Sequence, residues 1–342
     1  MSRAHAWITV LLLAAAPSAG GEIEVVETDD QILIRTDCLE AVVRKKGYVS
    51  GVAGGSLLDR KTGFRDAGHG LDIADFILEP GSDEADRDQL PERLVYSFGN
   101  PVHGDIPKRM IEGPQICTQA RELSPRIIRG EDLVALVMDH TFTEAAPGRK
   151  PGSRWTQTLV FPADTRYFVS SQRIDAVNSS PAMFFRIDMP GHVKHVLGNT
   201  FSEIYLSYFP QTIPAGEFFE SFPPDARFLY RRGTQEKPPE RFIRAYHLRD
   251  AETGRSGPWL AGMTLDPSDV HEAWCHQRPA GNRGYVCMIE EFGGRPIRPG
   301  ESFSAAFVVG YFDSIDRMHE VYDRHAGHSG LEVDASGWRL TE

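Results

Sequence analysis

The chain lacks most of the signals that assign a protein to a well-marked class. Its 342 residues include four cysteines, and no two of them have the Cys-x-x-Cys spacing of a zinc or redox site. No Gly-x-Ser-x-Gly elbow, no His-Glu-x-x-His motif and no nucleotide-binding glycine pattern are found. The sequence therefore predicts neither a cofactor nor a metal, and it contains no motif of a hydrolytic triad.

Basic residues are in the minority. The chain has 37 Lys and Arg against 48 Asp and Glu, a formal net charge of −11. A field of this sign repels polyanions, so we expect no general binding of nucleic acid. The remaining composition, 41% hydrophobic with 32 Gly and 23 Pro, is that of an ordinary globular protein. A local cationic pocket for an acidic sugar stays compatible with these numbers.

One apolar run stands near the N-terminus. It extends from Ala6 to Ala16, follows Arg3, and is followed by the small residues 18–21. This order is typical of a secretory signal peptide, and the run is about half the ~20 residues of a membrane-spanning helix. We therefore predict a signal peptide over residues 1–21 and a secreted or periplasmic protein without a membrane span, with a short uncleaved anchor as the alternative.

Most of the remaining chain has the period-two alternation of strands with one buried face. The clearest stretches are Leu133–Phe142, Trp155–Phe161, Met183–Met189 and Phe303–Val309. Fifteen or more such stretches are separated by Gly and Pro turns, and no β-helix-β order is present. We therefore predict one all-β domain over residues 22–342, an antiparallel β-sandwich. One helix is predicted over about Ser314–His325, with Asp313 as its cap and a sheet edge as its neighbour.

A hairpin is predicted in register between residues 271–276 and 285–290. If it is symmetric about Gly281, Cys275 lies opposite Cys287, and Glu272 lies opposite Glu290. The opposed cysteines allow a cross-strand disulfide in an oxidising compartment, and two buried thiols are the alternative.

The opposed carboxylates in this hairpin would repel each other. A sheet tolerates such a pair if one carboxyl keeps its proton or if a cation lies between the two. Trp274 and His276 are predicted to share the face of Glu272. The pattern predicts part of a polar, aromatic-lined surface, and a solvent-facing strand pair without a chemical role is the alternative.

A second group of candidates lies in the middle of the chain. His192 and His195 follow an apolar strand, and Glu203 and Tyr205 share a face of the next one. Acid–base chemistry on a sugar ring uses these side-chain types, and strand ends tend to carry them. The catalytic candidates are His192, His195, Tyr205, Glu272 and Glu290. The substrate-binding candidates are Arg154, Trp155, Arg186, Glu203, Trp274 and His276.

Three segments resemble the galactose mutarotase-like β-supersandwich group, which includes aldose epimerases and the sandwich domains of polysaccharide lyases. The segments are Thr36–Gly63, Arg173–Pro181 with the Gly-His that follows it, and Ile297–Phe303. The resemblance implies an antiparallel β-supersandwich. It also implies that the epimerase histidine corresponds to His192 or His195, and the late catalytic glutamate to Glu272 or Glu290.

Taken together, the sequence predicts an exported carbohydrate-active enzyme. The leading reaction is β-elimination on a uronic-acid-containing glycan, in which Arg154, Arg186 or His195 would neutralise the carboxylate and Tyr205 or His192 would move protons. Anomer interconversion by an aldose mutarotase and hydrolysis by a glycosidase with Glu272 and Glu290 are alternatives on the same scaffold. A non-catalytic carbohydrate-binding or cell-surface module is the alternative of a different class.

Overall fold

The structure is a computed structural model that describes residues 23–96, 104, 106–218, 228–280 and 283–342, without the side chains of 276–280 and 283. The predicted signal peptide, 1–21, lies outside these residues and stays a prediction.

The described chain contains 23 strands. The first twelve are β1 (Glu24–Glu27), β2 (Gln31–Arg35), β3 (Leu39–Arg44), β4 (Val52–Ala53), β5 (Leu58–Asp59), β6 (Gly68–Pro80), β7 (Lys108–Gly113), β8 (Arg126–Arg129), β9 (Leu133–Thr141), β10 (Glu144–Ala145), β11 (Arg154–Pro162) and β12 (Tyr167–Asp175). The others are β13 (Ser180–Val196), β14 (Phe201–Leu206), β15 (Ile213–Pro214), β16 (Tyr230–Arg231), β17 (Phe242–Arg249), β18 (Ser256–Thr264), β19 (Val270–Ala280), β20 (Arg283–Ile297), β21 (Ser302–Phe312), β22 (Gly330–Asp334) and β23 (Gly337–Thr341).

Two large antiparallel sheets form the body of the sandwich. The eight-stranded sheet has the order β10-β7-β6-β13-β20-β19-β16, with β4 beside β6. The nine-stranded sheet has the order β15-β14-β17-β18-β21-β12-β11-β9-β8. A four-stranded sheet, β1-β2-β3-β5, and the hairpin β22-β23 complete the described strands. The predicted all-β, antiparallel supersandwich is confirmed.

The main core lies between the two large sheets. Phe185, Met288 and Phe292 of the eight-stranded sheet are fully buried there with Phe168 and Leu260 of the nine-stranded sheet. Each such side chain contributes roughly 1.5–3 kcal/mol when it leaves water. This burial determines which face of each strand points inward, and the alternate residues of the same strands point outward.

The described residues contain one α-helix, α1, which runs from Ile315 to His325. Its N-cap is Ser314, whose side chain accepts a hydrogen bond from the Arg317 backbone at 3.1 Å, so the prediction of Asp313 as the cap was wrong. Asp313 instead binds Lys61 at 2.8 Å. Met318, Val321 and Tyr322 are buried, as their spacing predicts, but they cover the outer face of the nine-stranded sheet rather than an edge.

Candidate functional site

The outer face of the eight-stranded sheet carries a continuous row of polar side chains. In β13, Phe185 and Ile187 point into the core, so Arg186, Asp188 and, after a bulge, His192 point outward. The neighbouring strands β20 and β19 add further polar and aromatic residues to this face. Strand alternation therefore assembles groups that are far apart in the sequence.

One end of this row is a buried charged cluster, built around two opposed glutamates. Glu272 of β19 pairs directly with Glu291 of β20, and both side chains are 0% exposed. Lys108 of β7 places its Nζ against Glu272 Oε2 and 3.3 Å from Glu291 Oε2. The cation offsets a repulsion that two buried carboxylates would otherwise feel.

Arg186 completes the charged cluster, which we define as Tyr96, Lys108, Arg186, Glu272, Trp274 and Glu291. Its Nη2 lies 2.6 Å from Glu291 Oε1, and its Nη1 contacts the Tyr96 hydroxyl. The guanidinium and the Lys108 ammonium lie 5.1 Å and 4.7 Å from the ring centre of Trp274. All six side chains are buried, so the charged cluster packs on the sheet and does not contact solvent.

Residue 104 lies close against Glu272 and Lys108 of the charged cluster. Gly104 has a φ of +98°, and a Cβ at this position would collide with the Glu272 carboxylate and the Lys108 ammonium. Only glycine accommodates both the backbone conformation and the close approach.

The other end of the row is accessible, and we call it the histidine cluster: His69, Asp188, His192 and Tyr285. His192 Nε2 lies 2.9 Å from Asp188 Oδ1, and its ring stacks on Tyr285 with centroids 5.8 Å apart. The ring of His69, which is exposed, is 5.1 Å from that of Tyr285 and 6.2 Å from that of His192. Lys194 is exposed and lies opposite Tyr285 in the sheet.

The two imidazoles have opposite electrostatic environments. Burial lowers the pKa of His192, but the charges and hydrogen bonds of Asp188 and Cys287 together outweigh burial and raise that pKa well above its ordinary value. Burial lowers the pKa of His69, and the positive charges of Lys194 and His192 lower it further. At neutral pH the face therefore presents an imidazolium beside a neutral imidazole.

A further carboxyl lies between the two clusters. Burial, and then the negative charge of Asp188, raise the pKa of Asp75 to about 7, against the opposing effects of Arg186 and Gln115. Gln115 Nε2 donates to Asp75 Oδ1, and Cys117 Sγ lies 3.7 Å from the same oxygen. Asp75 is therefore poised to exchange a proton near neutral pH.

The predicted register of the hairpin was wrong by one residue. Ala280 pairs with Arg283, and Cys275 lies opposite Met288. Cys275 belongs to the core between the sheets, whereas Cys287 packs with Trp274 on the outer face. The two sulfurs lie on opposite faces, which excludes a disulfide between them.

The same shift changes the carboxylate pair. Glu272 faces Glu291, and Glu290 points to the opposite side, into the core. There Glu290 accepts a hydrogen bond from Arg244 at 3.0 Å and one from Thr264 at 2.5 Å. The prediction of an opposed pair with a cation between its members fits the sheet, with Glu291 in place of Glu290 and Lys108 as the cation.

Of the residues named from sequence, the structure brings four to this outer face: Arg186, His192, Glu272 and Trp274. His276 lies opposite Cys287 in β19, and its side chain is outside the described residues. His195 directly follows the outward-pointing Lys194, so it lies on the opposite face of β13, and it is 5% exposed. Its Nδ1 accepts a hydrogen bond from Gly198 at 3.0 Å, and its ring packs against Phe201 of the core.

The other predicted site residues belong to the nine-stranded sheet. Trp155 is fully buried and donates to Gln172 at 2.8 Å, while the exposed Arg154 pairs with Asp139 at 3.2 Å. Tyr205 lies on the outer face, where its hydroxyl is 2.8 Å from His319 of α1. Packed sheets are about 10 Å apart, so no single proton transfer can combine Tyr205 with His192 or Glu272.

Sequence reasoning missed His69, Asp75, Lys108, Asp188, Tyr285 and Glu291. Alternation along β13 and β20 places Asp188 on the face of Arg186, and Tyr285 on the face of Cys287. The sequence pattern could therefore have identified Asp188 and Tyr285. Lys108 and His69 lie on strands whose pairing partners are remote in the sequence, and no local pattern marks them.

Among the residues that the structure describes, no group of three or more His, Cys, Asp or Glu is arranged to hold a metal ion. No helix in the same part of the chain is long and apolar enough to cross a membrane.

Comparisons with known proteins detect similarity at the level of structure. No protein-family model and no curated protein matches the sequence. A galactose 1-epimerase from Lactobacillus acidophilus aligns over 87% of this chain and 100% of its own, at 10% identity and a TM-score of 0.37. The GH36 alpha-galactosidase AgaB from Geobacillus stearothermophilus aligns over 85% of this chain and 41% of its own, at 15% identity and a TM-score of 0.41.

A 4-alpha-glucanotransferase from Thermococcus litoralis aligns over 85% of this chain and 40% of its own, at 10% identity and a TM-score of 0.38. The chain thus spans about two fifths of the length of these two larger proteins. A galactose 1-epimerase is thus among the matches, and at these identities the likeness concerns the fold alone.

Proposed function

We propose that the chain is an exported carbohydrate-active enzyme that performs general acid–base chemistry on a sugar at the histidine cluster. The observation that carries the proposal is the pair His69 and His192. Their rings are 6.2 Å apart, and their pKa values are shifted in opposite directions. Two titratable groups that differ in this way supply an acid and a base at the same pH.

His192 is the acid of the pair. Asp188 holds it at 2.9 Å and stabilises its positive charge, while Tyr285 stacks on its ring. His69 is the base, because its exposed ring is neutral and reaches solvent beside the same tyrosine. A sugar ring that lies across Tyr285 would contact both imidazoles.

The leading reaction is β-elimination on a uronic-acid-containing glycan. The His192 cation and the exposed Lys194 would neutralise the uronate carboxylate, which makes the adjacent C5 proton more acidic. His69 would remove that proton, the C4–O4 bond would break, and the departing oxygen would take a proton from the His192 imidazolium. A C4=C5 double bond would remain in the product. The local positive charge supports this reaction in spite of the net charge of −11.

Anomer interconversion of a free aldose is the second candidate. It needs an acid at the ring oxygen and a base at the anomeric hydroxyl, and the His192–His69 pair meets this requirement equally well. The glycosidase alternative loses its support, because Glu272 and Glu290 point to opposite faces of the sheet.

The test is incubation of the purified chain with acidic and neutral polysaccharides and with free aldoses. Absorbance of unsaturated uronate reports elimination, and polarimetry reports anomer interconversion. His69→Gln and His192→Gln should each lower the rate by about 10²–10⁴-fold. His328→Gln, at a histidine in the loop that follows α1, is the matched control and should keep the full rate.

If neither unsaturated uronate nor a change in optical rotation appears with any substrate, the enzyme proposal is wrong. Sugar binding that persists without turnover would then favour the non-catalytic carbohydrate-binding module.

A further inference from the structure

A second constellation lies on the outer face of the nine-stranded sheet, away from the histidine cluster. It consists of Glu203 of β14, His247 of β17 and Ser256 at the start of β18. His247 Nδ1 is 3.1 Å from Glu203 Oε1, and His247 Nε2 is 3.2 Å from Ser256 Oγ. A carboxylate, an imidazole and a hydroxyl are thus joined in one line of hydrogen bonds.

The sheet register builds this line. Glu203 and Trp259 are the direct neighbours of His247 on its two sides. A register shift between His247 and Arg249 then brings Ser256 opposite Arg249, within reach of the imidazole. The ring of Trp259 stacks on that of His247 at 4.6 Å with an interplanar angle of 12°, which holds the imidazole in one orientation.

The serine hydroxyl at the end of this chain of hydrogen bonds is accessible to solvent. Ser256 is exposed, and the side chains of His247 and Glu203 are 24% and 32% exposed. A substrate can therefore reach Oγ, while the carboxylate and the imidazole remain partly shielded. The chain contains no nucleophile-elbow motif, but a triad is recognised by the geometry and roles of its members and occurs on unrelated folds.

We propose that Ser256 is an activated nucleophile that accepts an acyl group from small carboxylic esters. Ser256 Oγ forms a bond to the ester carbonyl carbon, and its proton passes to His247 Nε2. The carbon–oxygen bond to the alcohol then breaks, and the alcohol leaves with that proton. Water, deprotonated by the same imidazole, releases the acid and restores the serine. Glu203 is the positioning residue, since it holds the Nδ1–H tautomer of His247.

The test uses a fluorophosphonate probe and p-nitrophenyl acetate with the full chain. The probe forms a bond from Ser256 Oγ to phosphorus and expels fluoride, and peptide mass spectrometry locates it. Wild-type protein should be labelled at Ser256, and Ser256→Ala should be unlabelled. His247→Gln should slow labelling and acetate release by about 100-fold or more.

Two further variants separate a chemical role from a structural one. Glu203→Gln should lower the labelling rate at least about tenfold with an unchanged melting temperature, and Glu203→Asp should restore part of it. Ser336→Ala removes an exposed serine that bonds only an aspartate, and it should label like the wild type. Labelling that is absent, that occurs elsewhere, or that is equal in wild type and His247→Gln overturns the proposal.

The proposed acyl transfer at Ser256 is independent of the proposed sugar chemistry. Ser256→Ala should leave any elimination or mutarotation at the histidine cluster unchanged, because the two sites belong to outer faces of different sheets.

Discussion

Replacement of Lys108 by methionine tests the energetics of the charged cluster most directly. The variant keeps the length and apolar stem of the side chain, so the change in packing is small. It removes the cation that lies between Glu272 and Glu291, both 0% exposed. Arg186 still contacts Glu291, but Glu272 loses an ion-pair partner that it contacts directly in the fold.

The expected loss in the free energy of unfolding follows from the burial of Glu272 and Glu291. Removal of one member of a buried ion pair destabilises a protein by about 3–5 kcal/mol, because a charge is left uncompensated in the interior. For a chain of this size about 2 °C of melting temperature corresponds to each kcal/mol, so we expect a decrease of about 6–10 °C.

Urea denaturation followed by tryptophan fluorescence measures this loss. Lys237→Met, at an exposed lysine, is the control and should change stability by less than about 0.5 kcal/mol. The double variant Lys108→Met with Glu272→Gln should recover much of the loss, because the repulsion is then removed. A loss below about 1 kcal/mol for Lys108→Met would refute the reasoning.

Three further predictions concern the fold. Burial raises the pKa of Asp72 to about 7, so its carboxyl destabilises the fold progressively as pH rises from about 4 to 7, by up to about 4 kcal/mol. Asp72→Asn should therefore flatten the dependence of unfolding free energy on pH in that window, and an unchanged slope would contradict it. Gly104→Ala should lower the melting temperature, since the new Cβ meets Glu272 and Lys108 and the φ of +98° adds about 1 kcal/mol or more. Ser314→Ala removes the N-cap of α1 and should cost about 1 kcal/mol in urea denaturation, whereas Asp313→Asn should leave the cap intact.

The strands were predictable because burial on one face leaves a periodic signal. The stretch Met183–Met189 lies within β13, and Leu133–Phe142 matches β9 except that the strand ends one residue earlier, at Thr141. The helix was predictable for the same reason, since Met318, Val321 and Tyr322 share its apolar stripe. Its cap was predicted one residue early, because Asp313 and Ser314 are both good caps, and in the fold Asp313 pairs with Lys61 and Arg166 instead.

The candidate site was only partly predictable. Sequence reasoning named His192, Arg186, Glu272 and Trp274, which the structure places on one face of one sheet. A one-residue error in the turn exchanged Glu290 for Glu291, because a register slip of one moves every side chain of a strand to the opposite face.

The sequence by itself therefore determined the class of fold, the alternation of each strand and the types of side chain available for chemistry. Only the tertiary structure decided which strands pair and which faces point the same way. His69 reaches His192, and Lys108 reaches Glu272, across strand pairings that join distant parts of the chain. Tyr205 and His192 were equally good candidates in sequence, but the sandwich places them on outer faces of different sheets. The physical reason is that burial acts on each strand locally, whereas a site depends on the arrangement of whole sheets.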